Sequence, residues 1–99
     1  ASDAKLVIDP APAPVGTAFE ACDEIIENTT TSKKTVTVTI CNPGSATMYV
    51  DVSGNRITTI RPGKCKTIIV ALGPGEFLHA DEDGTVTFVV TPTLAAKQP

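Results

Sequence analysis

The chain has 99 residues and a net charge of −3, with eight Lys and Arg against eleven Asp and Glu. That length accommodates one domain, 1–99, with a thin core. The charge balance excludes the dense cationic face that non-specific nucleic-acid binding needs, and no apolar run approaches the roughly 20 residues of a membrane-crossing helix. Neither nucleic acid nor a membrane is therefore expected as a partner.

Large aromatics are few: Phe19, Tyr49, Phe77 and Phe88, with no Trp. The core has to come from Val, Ile and Leu, and β-branched side chains suit a pleated surface. The start, Ala1-Ser2-Asp3, is compatible with a clipped initiator Met or with a signal-peptidase cut. Lys5-Leu6-Val7-Ile8-Asp9 reads as a strand. Pro10, Pro12 and Pro14 then alternate with small residues. Three missing amide donors bar this stretch from the middle of a sheet, and its composition favours a stiff extended segment. Residues 1–16 are expected as an extended arm, either crossing between sheets or reaching onto a neighbour through Pro10, Pro12 and Pro14.

In the next stretch Phe19, Cys22, Ile25 and Ile26 fit a helical face about as well as a strand. The β-branched pair Ile25-Ile26 and the following Thr29-Thr30-Thr31 favour a strand. Asp23, Glu24 and Glu27 make an acidic patch, read as a solvated face. Asn28-Thr29-Thr30 matches the N-glycosylation acceptor pattern.

Beyond this point a two-residue period dominates. Val36, Val38 and Ile40 alternate with Thr35, Thr37 and Thr39; Met48, Val50 and Val52 with Tyr49 and Asp51; Val86, Phe88 and Val90 with Thr85, Thr87 and Val89. Such alternation predicts half-buried antiparallel strands. Thr67 to Leu72 is apolar on both faces, which predicts a more central strand or one covered by a neighbouring subunit. Turn signals separate the runs at Asn42-Pro43-Gly44-Ser45, Ser53-Gly54-Asn55, Arg61-Pro62-Gly63-Lys64, Gly73-Pro74-Gly75 and Asp81-Glu82-Asp83-Gly84. Turns at this spacing predict a sandwich or small barrel. Residues 94–99 read as a flexible tail.

The sequence offers little chemistry. His79 is the one histidine, beside an acidic turn and without a nucleophile motif, and reads as structural. Asp81, Glu82 and Asp83 precede Gly84 too closely for a calcium loop and read as a hairpin turn. Gly73-Pro74-Gly75 lacks the lysine and helix of a phosphate loop. No catalytic, cofactor or metal site is expected. Three cysteines, Cys22, Cys41 and Cys65, argue against a dedicated disulfide framework. If the chain runs up and down between its turns, Cys41 and Cys65 fall at the same end of the domain, both off the inward Val/Ile set. A Cys41–Cys65 bridge is then open, with Cys22 as a competing partner, and three reduced thiols remain the alternative.

From Val36 to Thr91 the order of elements has a recognisable texture: Asn42-Pro43-Gly44-Ser45-Ala46-Thr47 before Met48-Tyr49-Val50, then Arg61-Pro62-Gly63, Gly73-Pro74-Gly75 and Gly84-Thr85-Val86-Thr87. It resembles the small β-sandwich decoration (cement) and accessory proteins of tailed-phage virions, and also immunoglobulin-like modules in general. The expected fold is all-β: a small antiparallel β-sandwich, immunoglobulin-like or jelly-roll-like, with an extended Pro-rich N-terminal arm. The phage resemblance implies a non-enzymatic homo-oligomer on the capsid surface, made in the host cytoplasm and contacting the major capsid protein or other virion proteins. The alternative is a secreted or cell-surface immunoglobulin-like binding module, which implies an extracellular location and an oxidised cysteine pair.

Overall fold

The computed structural model describes residues 16–22 and 24–88. The Lys5–Asp9 run, the arm with Pro10, Pro12 and Pro14, Asp23, Val90 and the 94–99 tail lie outside them. The described elements are β1 (Thr17–Phe19), β2 (Glu24–Glu27), β3 (Lys34–Cys41), β4 (Met48–Val52), β5 (Asn55–Ile60), β6 (Cys65–Leu72), β7 (Phe77–Ala80) and β8 (Gly84–Phe88), with no helix among the described residues. They form two four-stranded sheets, ordered β1-β8-β3-β6 and β2-β7-β4-β5. Every pairing is antiparallel. The expected all-β architecture of antiparallel strands is present, arranged as a small β-sandwich.

The alternation explains the layering. Val36, Val38 and Ile40 are buried, whereas Thr35 is exposed and Thr37 and Thr39 are half-buried. The first sheet contributes Phe19, Val36, Val38, Ile40, Val70, Leu72 and Val86 to the core; the second contributes Ile25, Ile26, Met48, Val50, Ile60, Leu78 and Ala80. Each aliphatic side chain moved out of water contributes about 1.5–3 kcal/mol before entropy is subtracted. With so few aromatics, the sheets must approach closely. Gly84 has no room for a side chain: a Cβ there would lie 2.5 Å from the Cys41 carbonyl and 2.8 Å from Phe19 Cζ in its own sheet, and 2.8 Å from Met48 Cε of the other.

The connections differ from an up-and-down path. Only β4 and β5 are consecutive and hydrogen-bonded to each other. Their loop is Ser53-Gly54, with φ of 48° and 89°, the two positive values of a type I′ hairpin. The other described connections change sheets. The run Phe19–Glu27, read from sequence as one strand, is two strands in different sheets. It is broken after Phe19, where Cys22 adopts φ 68°. Asp81–Gly84 is likewise not a hairpin turn: it carries the chain from β7 in one sheet to β8 in the other, and Gly84 is a buried strand residue. Among the described residues β6 ends the first sheet, so Thr67–Leu72 takes an edge position there and not a central one.

Two buried asparagines hold two of these corners, and they do so with equivalent atoms. Asn28 and Asn42 are 0% and 1% exposed. Asn28 Nδ2 donates to the carbonyls of Leu72 (2.8 Å) and Ser32 (2.9 Å), while its Oδ1 accepts from the Thr30 amide (2.9 Å). Asn42 Nδ2 donates to the carbonyls of Ile60 (2.9 Å) and Ala46 (2.7 Å), and its Oδ1 accepts from the Gly44 amide (3.1 Å). The backbone repeats the pattern. The Asn28 amide donates to the Glu76 carbonyl and its carbonyl accepts from Gly75; the Asn42 amide donates to the Lys64 carbonyl and its carbonyl accepts from Gly63. Each asparagine is thus docked on a Pro-Gly turn, Gly73–Glu76 or Arg61–Lys64. These turns close through Glu76 N to Gly73 O and Lys64 N to Arg61 O. Gly75 and Gly63 have φ of 80° and 73°, as the third position of a type II turn requires. Buried and bonded in this way, the Asn28 amide is not available as a glycan acceptor in the folded chain.

Asn28→Ala or Asn42→Ala strands two carbonyls and an amide at a buried corner, so each is expected to lower unfolding free energy by about 2–4 kcal/mol in urea denaturation. Gly84→Ala is expected to cost about 3 kcal/mol by overpacking, read as a fall in the denaturation midpoint at unchanged slope.

Candidate functional site

The two sheets end on the same side. β6 closes the first sheet and β5 the second, and the tight Arg61–Lys64 turn joins them. Two strands without an outer neighbour among the described residues therefore border one open edge. Ile69, in the middle of β6, is 74% exposed, and Ile57 on β5 is 44% exposed. Between them runs a groove of about 300 Å³ whose lining includes Val52, Asn55, Ile57, Ile69, Ala71 and Glu76. The double-faced apolar character of Thr67–Leu72 now has a structural basis. Val70 and Leu72 enter the core and Ile68 packs partly against it, while Thr67, Ile69 and Ala71 are exposed.

The other end of this edge is polar. Lys66 lies in the inward parity of β6 but reaches across the seam, where Nζ donates to Thr58 Oγ1 (2.8 Å) and the Thr59 carbonyl (2.7 Å). A lysine occupying an edge carbonyl is one way in which sheets block indiscriminate strand addition. Arg61, Lys64 and Lys66 line a second hollow here, of about 470 Å³.

Cys41 and Cys65 are joined by a disulfide. They are directly opposite in the β3–β6 ladder, with Cα atoms 4.0 Å apart. The bond faces away from the core and clamps β6 to β3 at the basic end. The Thr39 and Thr67 hydroxyls bond beside it at 2.8 Å. Cys22, the competing partner, is an exposed free thiol.

The outward face of the second sheet carries a row of ionisable side chains. Register places Glu24 opposite His79, His79 opposite Asp51, and Asp51 opposite Arg56. His79 Nδ1 lies 3.6 Å from Asp51 Oδ2, with about a quarter of each side chain exposed. The Arg56 guanidinium stacks over Tyr49, 4.2 Å from the ring centroid. A cation on an aromatic face and opposite charges across strands each contribute a few tenths to about 1 kcal/mol. His79 thus sits on a sheet face between cross-strand carboxylates. The acidic loop is spoken for as well: Asp81 Oδ1 accepts the Tyr49 amide and Asp83 Oδ1 the Ala21 amide, both at 2.7 Å. These carboxylates replace strand partners where the chain changes sheets. Among the described residues no three His, Cys, Asp or Glu side chains converge to hold a metal ion.

Sequence reading missed Asn28 and Asn42 as structural residues. Their signal was an Asn at a strand end followed two residues later by an amide able to close an Asx turn. It also missed the edge position of β6, because an apolar strand with two buried faces and one with an exposed apolar edge have the same composition.

No family model matches this sequence, and neither a curated protein nor a solved structure is significantly similar to it.

Cys41 and Cys65 are 24 residues apart, so replacing both with Ser is expected to lower stability by about 3 kcal/mol through the freed loop entropy of the unfolded chain. Labelling of the native protein with iodoacetamide should modify Cys22 alone, counted by intact-mass spectrometry.

Proposed function

We propose that this protein is a non-enzymatic assembly component, a capsid decoration or accessory protein that works through protein contacts on the outside of a virion. The carrying observation is the open edge of β5 and β6 with Ile69 74% exposed at its centre. Monomeric proteins blunt or cover such edges, so an apolar one without an outer strand among the described residues favours a protein partner.

The strand order supports the finer reading of the fold. β1-β8-β3-β6 over β2-β7-β4-β5 has the interleaved Greek keys of a jelly roll, an architecture that viral capsid domains use. The immunoglobulin-like reading fits less well. That fold has sheets of unequal strand number and, in antibody domains, a disulfide linking the two sheets, whereas Cys41–Cys65 lies within one sheet. Fold alone does not assign function, and the surface carries the argument. The disulfide suits an oxidising exterior, which a virion surface and a secreted protein share. It therefore also favours the second reading, a secreted or cell-surface binding module. On the virion reading, the segment with Pro10, Pro12 and Pro14 serves as the arm that grips the major capsid protein or a neighbouring accessory subunit, since its sequence favours an extended chain, which loses little entropy on docking.

The test is co-sedimentation with capsids of the virus that encodes this chain, prepared without it. Saturable pelleting and regular density on the shell in electron micrographs are expected. Pelleting no greater than that of an unrelated acidic protein would refute the virion reading and leave the secreted module. Replacing Pro10, Pro12 and Pro14 together with Gly should weaken pelleting about tenfold.

A further inference from the structure

The open edge has a polarity that singles out one occupant. At one end lie Arg61, Lys64 and Lys66. At the other lies Glu76, whose carboxylate accepts the Gly73 amide at 2.6 Å. Lys34 also falls at that end, opposite Leu72, but on β3 and so one strand inward. Midway is Ile69. From Thr67 to Ala71 the strand carries no charge at all.

We propose that β6 pairs antiparallel with β6 of a second copy of this chain, about a two-fold axis at Ile69, joining two four-stranded sheets into one. This deepens the assembly reading above and rests on it. In that register Thr67 faces Ala71 of the second copy, Ile68 faces Val70, and Lys66 faces Leu72. No like charges meet on the pairing strands, where they would oppose association. The reversal also lays the basic end of each copy along the Glu76 end of the other, so the charges complement each other in both halves at once, as an isologous interface requires. The outward backbone amides and carbonyls of β6, which face no ladder partner among the described residues, gain one. Ile69 loses its exposure against its own counterpart, and the groove beside Ile57 is covered. The Cys41–Cys65 bond holds β6 flat on β3, so the edge is ordered before pairing and less entropy is lost on association. Lys66 leaves the neighbouring β5 edge blocked at Thr59, which directs pairing to β6.

The experiment uses the full chain with Cys22→Ser, so that its free thiol takes no part. Sedimentation should show dimers at about 100 μM, and Ile69→Lys should raise the dissociation constant at least tenfold. The same substitution should leave the melting temperature of the dilute monomer unchanged, because Ile69 is already mostly exposed. Ile69→Cys places two thiols at the axis and should give a disulfide-linked dimer on mild oxidation. Thr35→Cys, exposed on β3, should not. A parent that stays monomeric overturns the proposal. So does an Ile69→Lys dimer as tight as the parent, or equal cross-linking from positions 35 and 69. No capsid is present in these measurements, so failure of the β6 pairing and failure of capsid binding are separate results.

Discussion

The architecture depends on two carboxamides. A chain that changes sheets at nearly every connection must bury strand ends, and strand ends carry backbone groups with no ladder partner. Asn28 and Asn42 meet this need because a short side chain with two donors and one acceptor can close its own turn and bind a carbonyl across the gap. Aspartate lacks the donors. Glutamine has them one methylene too far out. Each asparagine reaches the residue that precedes a Pro-Gly turn, Leu72 or Ile60. The two corners lie at opposite ends of the β3–β6 ladder and fix both ends of β6. The exposed edge is as well defined as it is because its termini are bolted to the interior.

Much of this layering is legible in the sequence, for one physical reason. A strand with one buried face writes its orientation in every second residue. β3 and β4 show this plainly, and so does β8 up to Val86. The signal fails where a strand is short or has more than one apolar surface. β1 and β2 have three and four residues, too few for a period to separate them, and the break between them rests on the positive φ at Cys22, a residue that seldom adopts it. β6 carries apolar side chains on both faces because one packs on the second sheet and the other is bare at an edge. Pattern alone does not tell a bare surface from a buried one.

Turn residues mark where the chain bends but not where it goes next. Ser53-Gly54 makes a hairpin, while Arg61-Pro62-Gly63-Lys64 and Gly73-Pro74-Gly75 turn corners between sheets. The difference lies in the asparagines that receive the latter two, which are distant in sequence. The acidic loop was legible only as composition. Asp81 and Asp83 look like a solvated turn or part of an ion site, yet their carboxylates accept backbone amides from Tyr49 and Ala21. His79 is the one histidine the sequence offers for acid–base chemistry. The structure places it opposite Asp51 and Glu24 on the outward face of the second sheet.

The position of β8 has a consequence for how the domain is made. This last described strand lies between β1 and β3, and among the described residues β1 has its ladder partner in β8 alone. During synthesis the first sheet therefore stays open, with β1 unpaired, until nearly the whole domain has left the ribosome. Such non-local closure is slow compared with hairpin formation. A chain that stops after β7 would leave Phe19 without its ladder and expose the backbone edge of β3 that β8 pairs with, so stalled or nicked products should be far more prone to stick together than the finished protein.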